Sequence, residues 1–157
     1  RCMEGFEPIY SKNSKILILG SFPSAISRKN NFYYGNPQNK FWKMMERFFL
    51  VKFFNVEDKI DFVLSHNFAL WDIVESCTIS GSLDKDIKDV KFVDLKKVLP
   101  PHTNVKKILC NGKKSFELTQ KYLTKNNLNF NVVCMPSTSS ANTRFNFEIW
   151  ERELKEN

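Results

Sequence analysis

Four short apolar runs, each closed by turn-forming residues and each separated from the next by a stretch of helical periodicity, constrain what this chain can fold into. Lys15–Gly20 reads K-I-L-I-L-G, an unbroken apolar run ended by glycine and followed by a Ser-Phe-Pro-Ser turn. A run of that length without polar alternation describes a strand buried on both faces. Phe68–Val74, Val105–Gly112 and Asn131–Met135 repeat the pattern, the last ending in Pro136–Ser140. Between them, Asn39–Leu50 places Phe41, Met44, Met45, Phe48 and Phe49 at spacings of three and four, an amphipathic helix. Asn55 supplies an N-cap and Glu57 and Asp58 an acidic first turn for a second helix. Lys113–Lys125 carries Phe116, Leu118, Tyr122 and Leu123 as a third, and a last helix is expected from about Arg144 to Lys155. The alternation predicts a three-layer α/β/α fold around a mostly parallel four-stranded sheet, as a single domain over residues 1–157, with ligands bound outside the carboxyl ends of the strands.

Several chemistries are disfavoured at once. The apolar runs fall well short of the roughly 18–20 residues of a membrane span, and the first residues lack the apolar segment of a signal peptide, so a cytoplasmic protein is expected. Cys2, Cys77, Cys110 and Cys134 lie far apart with no C-x-x-C pair, which points to reduced thiols and no metal. No dinucleotide fingerprint, phosphate-binding loop or nucleophile elbow occurs, so no cofactor is expected. His66 and His102 sit in polar stretches and read as surface or capping residues. The net charge of +7 is uneven, because residues 55–100 hold nine acidic and six basic side chains while the flanks are strongly basic. That segregation permits a nucleic-acid partner, although on charge alone a lysine-rich solvated exterior is the favoured reading.

Under the expected topology, Gly20–Ser24, Trp71–Asp72, Asn111–Gly112 and Pro136–Ser140 converge on one edge of the sheet, with Tyr33–Asn39 following the first. The resulting pocket is rich in serine, threonine, asparagine and aromatic groups and poor in histidine and paired carboxylates.

These segments carry a specific resemblance. Gly20–Ser24 (G-S-F-P-S), Tyr33–Lys43 (Y-Y-G-N-P-Q-N-K-F-W-K), Leu70–Asp72 (L-W-D) and Pro136–Ser139 (P-S-T-S) resemble, in family order, the motifs of the uracil-DNA glycosylase superfamily. The hypoxanthine-DNA glycosylase branch is the nearest likeness and the mismatch-specific branch the next. N-P-x-N-x-F-W is the most distinctive stretch, and the matches span about Gly5 to Trp150.

The resemblance implies a monofunctional, metal-free enzyme that flips a deaminated base, hypoxanthine ahead of uracil or xanthine, out of double- or single-stranded DNA and hydrolyses its N-glycosidic bond. It implies that Asn39 is catalytic, its carbonyl holding water or its NH2 donating to the base; on spacing alone Asn39 reads as a helix N-cap. Tyr34 falls where relatives stack an aromatic ring on the flipped base, and Ser21, Phe22, Asp72 and Asn111 would complete the base pocket. Phe22 and Tyr34 read equally as core, and Asp72 and Asn111 as turn residues. Ser24, Ser137, Thr138, Ser139, Asn142 and Arg144 are the candidate DNA contacts, as against structural turns and a solvated arginine. The chain departs from its relatives at Ser21, where the mismatch-specific branch has a catalytic asparagine, at Asn36, often histidine, and at Ser24 and Ser140, usually glycine and proline. A monomer is expected. The competing readings are a noncatalytic DNA-binding module of the same fold and a hydrolase of small nucleosides, the latter needing no basic flanks.

Overall fold

The computed structural model describes residues 2–80 and 87–156. In chain order the strands are β1 (Cys2–Glu4), β2 (Ile16–Gly20), β3 (Phe68–Asp72), β4 (Val74–Ile79), β5 (Ile87–Phe92), β6 (Lys107–Asn111) and β7 (Val132–Met135). The helices are α1 (Ala25–Asn30), α2 (Phe41–Phe49), α3 (Val56–Ser65), α4 (Lys113–Lys125) and α5 (Phe147–Lys155). Four strands form the expected parallel sheet in the order β3-β2-β6-β7. Every residue of β2 and β3 is buried, as unbroken apolar runs require when helices cover both faces of a sheet. The register pairs Gly20 with Asp72 and Asn111 with Met135, so the strands finish together on one edge.

A second, antiparallel sheet in the order β1-β4-β5 was not foreseen. The run Phe68–Val74 conceals the switch between sheets. Its backbone follows β2 as far as Ile73 N–H to Gly20 O (2.9 Å) and Val74 N–H to Ser21 O (3.1 Å), then departs as β4. The charged, half-exposed β5 shows no clear apolar alternation, which hid the partner strand. The short α1 lies in a stretch that reads as polar loop; Ser24 caps it and Asn31 ends it in the left-handed conformation. The last helix begins at Phe147, three residues later than expected, because Asn146 accepts the Glu148 N–H and sets the start there.

Aromatic rings fill much of the interior. Phe49, Phe53, Phe62 and Phe68 form one cluster, and the His66 ring packs 4.2 Å from that of Phe62 at the C-terminal end of α3, a capping position as expected. Helices α2 and α5 meet through Phe41 on Trp150 and Phe48 on Phe147. Trp150 is fully buried, and its indole N–H donates to Pro136 O at 2.8 Å, tying α5 to the loop that follows β7. Lys107 bonds Glu153 at 2.9 Å and holds the other end of α5 to β6. Trp150→Ala should therefore lower the unfolding free energy by about 3–5 kcal/mol, measured by urea titration; a loss below about 1 kcal/mol would show that α5 is not part of the core.

Two buried groups set the alkaline limit. Burial pushes the Cys110 thiol up to about 11 from 9.0, against the opposing hydrogen bonds of Thr119 and Ser115. Burial, then the nearby Asp72 carboxylate, raises the Tyr33 phenol far above its ordinary 10.0. The folded protein keeps both protons while the unfolded chain releases them, so each contribution is intact below the unfolded value and is lost as pH rises through it. Stability should fall above pH 9 through Cys110, and more steeply above pH 10 through Tyr33, each by up to about 1.4 kcal/mol per pH unit. Urea midpoints between pH 8 and 11 test this; Cys110→Ala and Tyr33→Phe should each reduce the slope whatever they do to absolute stability.

Candidate active site

The end of β2 creates the space for the site. A side chain at Gly20 would place its Cβ 2.3 Å from Asp72 Oδ1 and 3.3 Å from Tyr34 Oη. Only the bare backbone of glycine lets the Asp72 carboxylate and the Tyr34 phenol approach the same point above the sheet. Asp72 is buried, only 5% exposed, although it terminates a strand. Its carboxylate lies close enough to Tyr33 to help hold that residue's proton.

The segment after α1 supplies the second wall. Tyr33 lies in the core with its hydroxyl donating to Glu7 O, and its own carbonyl accepts the Trp42 indole N–H at 2.8 Å. Tyr34 takes φ 52°, a conformation that costs an aromatic residue about 1–3 kcal/mol and persists only where the surroundings enforce it. Here its ring stacks on Phe41 with centroids 4.2 Å apart and planes 26° from parallel. Asn39 stands where this wall meets α2. Its backbone N–H donates to Asn36 O, and its Oδ1 accepts the Phe41 N–H at 2.9 Å. That bond orients the amide: the oxygen faces the helix start, and the NH2 remains as a donor. The N-cap of α2 is Lys40 and not Asn39, the residue that spacing alone suggests; Asn39 stands one residue earlier and forms an Asx turn onto the first helical N–H.

The third wall is the loop after β7. Asn111 donates from Nδ2 to Thr138 Oγ1 at 2.9 Å and accepts the Thr138 N–H at 3.0 Å. Thr138 O accepts the Lys40 N–H at 2.9 Å, joining this loop to the start of α2. Ser137 Oγ accepts from Ser139 N–H, and Asn142 Nδ2 donates to Ser137 O, which folds the loop on itself. Gly112, at φ 97°, makes room for it: a Cβ there would meet Ser137 Cβ at 3.2 Å.

These walls enclose a cavity of about 370 Å³. Ser21, Phe22, Ser24, Tyr34, Asn39, Asp72, Asn111, Ser137, Thr138, Ser139 and Asn142 all line it. Arg144 does not; it is exposed, two residues past Asn142, whose Oδ1 accepts its backbone N–H. Thr138 is only 1% exposed with its polar groups engaged, the surroundings of a loop anchor and not of a phosphate contact. Ser24 spends its hydroxyl on Ser27 as the cap of α1. Tyr33, Ser27 and Asn36 also line the cavity; Tyr33 and Asn36 lie in the Tyr33–Asn39 segment expected there, though neither was given a site role, and Ser27 lay outside every expected segment. Tyr33 could have been suspected from its place in the same aromatic motif, whereas Ser27 gave no signal because α1 was not foreseen.

Among the described residues, no lysine, arginine, histidine or cysteine lines the cavity. What it presents is a flat aromatic surface, amide and hydroxyl groups, and one buried carboxylate. Such a set can receive a planar heterocycle, hydrogen-bond its edge and donate to charge that develops on it. Among the described lining residues there is no amine placed to form a Schiff base with a sugar.

Residues 7–155 match the family model of the uracil DNA glycosylase superfamily. The chain is 32% identical over 146 residues to the hypoxanthine DNA glycosylase of Methanosarcina acetivorans, covering 90% of this chain and 89% of that one. It is 34% identical over 119 residues to the hypoxanthine DNA glycosylase of Methanosarcina barkeri, covering 73% of each chain. Its fold is similar to the solution NMR structure of a candidate uracil DNA glycosylase from M. acetivorans, with a TM-score of 0.81, 30% identity, and coverage of 99% of this chain and 100% of that one. Pocket, motifs and relatives agree: the chain belongs to the uracil DNA glycosylase superfamily.

Proposed function

We propose that this DNA glycosylase accepts a deaminated base flipped out of DNA, with hypoxanthine preferred and uracil or xanthine also accepted, and hydrolyses the N-glycosidic bond to leave an abasic site. The observation that carries the reading is the Asn39 amide, held by its oxygen at the start of α2 and lining the cavity with its donor end available. As the bond to the sugar breaks, negative charge collects on the departing base. An NH2 fixed in advance, next to the positive end of a nine-residue helix, stabilises that charge without reorganising. Water then attacks the electron-poor sugar carbon, and no covalent enzyme intermediate is needed.

The remaining lining residues suit selection of the base. Deamination of adenine turns the N1 lone pair into an N–H, and deamination of cytosine does the same at N3. A buried carboxylate accepts from N–H and repels a lone pair, so Asp72 favours the damaged bases over adenine and cytosine. Tyr34, braced by Phe41, offers a stacking surface worth about 1–3 kcal/mol per base. Ser21 and Phe22 line the pocket as well, while Ser137, Ser139 and Asn142 at the cavity and Arg144 beyond it are the groups for the DNA backbone, with Ser24 holding the start of α1 beside them. The basic flanks draw the strand in, and binding should weaken with salt.

The test is alkaline cleavage of end-labelled oligonucleotides, single- and double-stranded, carrying one deoxyinosine, deoxyuridine or deoxyxanthosine. Native protein should cleave at deoxyinosine fastest, and Asn39→Ala should slow single-turnover cleavage by about 10²–10³-fold. Asn39→Asp, which keeps the oxygen that accepts the Phe41 N–H, should lose comparable rate, whereas only Asn39→Ala should also lose about 1 kcal/mol of stability in urea. Cleavage of every lesion at the native rate by both variants would exclude Asn39 as the acting group; binding without cleavage by the native protein would favour a noncatalytic module. Gly20→Ala should abolish cleavage by displacing the Asp72 carboxylate, and retention of full rate would separate that carboxylate from the reaction.

A further inference from the structure

We propose that Asn111 is a positioning residue for Asn39, acting through Thr138, and not a reader of the base edge. The inference rests on the preceding reading only in taking Asn39 as the acting group. Asn111 is the last residue of β6, fixed by the sheet, whereas Asn39 stands in a loop just ahead of α2. Four hydrogen bonds connect them. Asn111 Nδ2 donates to Thr138 Oγ1 at 2.9 Å, and Thr138 N–H donates to Asn111 Oδ1 at 3.0 Å. Thr138 O accepts at 2.9 Å from the N–H of Lys40, the nitrogen of the peptide that leaves Asn39. One residue further on, the Phe41 N–H donates at 2.9 Å to Asn39 Oδ1.

Both ends of the Asn111 amide are therefore engaged by one residue, which is itself only 1% exposed. A base-reading amide needs its donor and acceptor directed at the ligand, and this one has a donor and an acceptor site fixed on Thr138, which sets its orientation by the protein. The backbone is shaped for the same purpose, because Gly112 takes φ 97° and leaves no Cβ between β6 and Ser137. The sheet edge thus sets where the Asn39 peptide lies. Misplacement of an acting group by about 1 Å can cost about 10²-fold in rate, so the linkage bears on turnover and not on binding.

Thr138→Val tests this without touching Asn111, since it keeps the shape of the side chain and removes only Oγ1. Single-turnover cleavage and lesion-DNA Kd would be measured for native protein, Thr138→Val, Thr138→Ser, Asn111→Ala and the Asn111→Ala/Thr138→Val double variant. In parallel, the Asn39 side-chain NH2 would be followed by NMR, its signals identified by their loss in Asn39→Ala. Thr138→Val and Asn111→Ala should each slow cleavage by about tenfold or more with Kd and the ranking of lesions little changed, and together should cost no more than one alone. Both should shift the Asn39 NH2 signals, and Thr138→Ser should restore rate and signals. The proposal is overturned if Thr138→Val leaves the Asn39 signals in place. It is equally overturned if Asn111→Ala changes which lesion is cleaved while Thr138→Val does not, the mark of direct base reading. Should native protein cleave no lesion, the glycosylase reading fails, and the NMR signals alone decide whether Asn111 positions Asn39.

Discussion

The in-register end of the parallel sheet is the constraint on which the rest of this structure depends. β2 and β3 finish opposite one another at Gly20 and Asp72, and β6 and β7 finish at Asn111 and Met135. Because the hydrogen-bonded ladder fixes these four points, loops leaving them reach a common space, and a glycine at one point leaves that space open. A slip of one residue in β2 would turn a leucine side chain toward the position now occupied by the Asp72 carboxylate. Fold and pocket are thus specified by the same pairing.

Around that edge the protein divides its polar groups between holding and acting. Thr138, Asn111 and Ser24 are mostly spent on backbone and side-chain partners within the protein. Asn39, the residue proposed to act, is held by its oxygen on a helix start with its NH2 left over. Tyr34 is held in a left-handed conformation and braced by Phe41. Orienting these groups costs free energy at the folding stage and spares it when a ligand arrives, which is the advantage of a preorganised site over a flexible one.

The parallel sheet was legible because unbroken apolar runs such as Ile16–Leu19 have few other solutions in a chain of this size. The pocket was legible for the same reason, since strand ends locate ligands once the sheet is known. The antiparallel sheet was not, because β4 continues the apolar run of β3 without a turn signal and β5 is charged and half exposed. Asn111 shows the limit on single residues. Its place at a strand end was readable, but the partner that occupies its amide lies 27 residues away and could be found only in three dimensions. Arg144 shows the converse: proximity in sequence to the pocket loop did not bring it to the cavity.

The shared amide of Asn39 has a thermal consequence. The first turn of a helix opens more readily than the body of a domain, and here that turn holds the oxygen of the residue proposed to act. Opening it releases the NH2 from its orientation while the sheet, the aromatic interior and the bulk spectroscopic signals of folding remain intact. With Asn39 as the proposed acting group, such a local equilibrium at the start of α2 would bound the working temperature range, and heat would silence the protein before melting it.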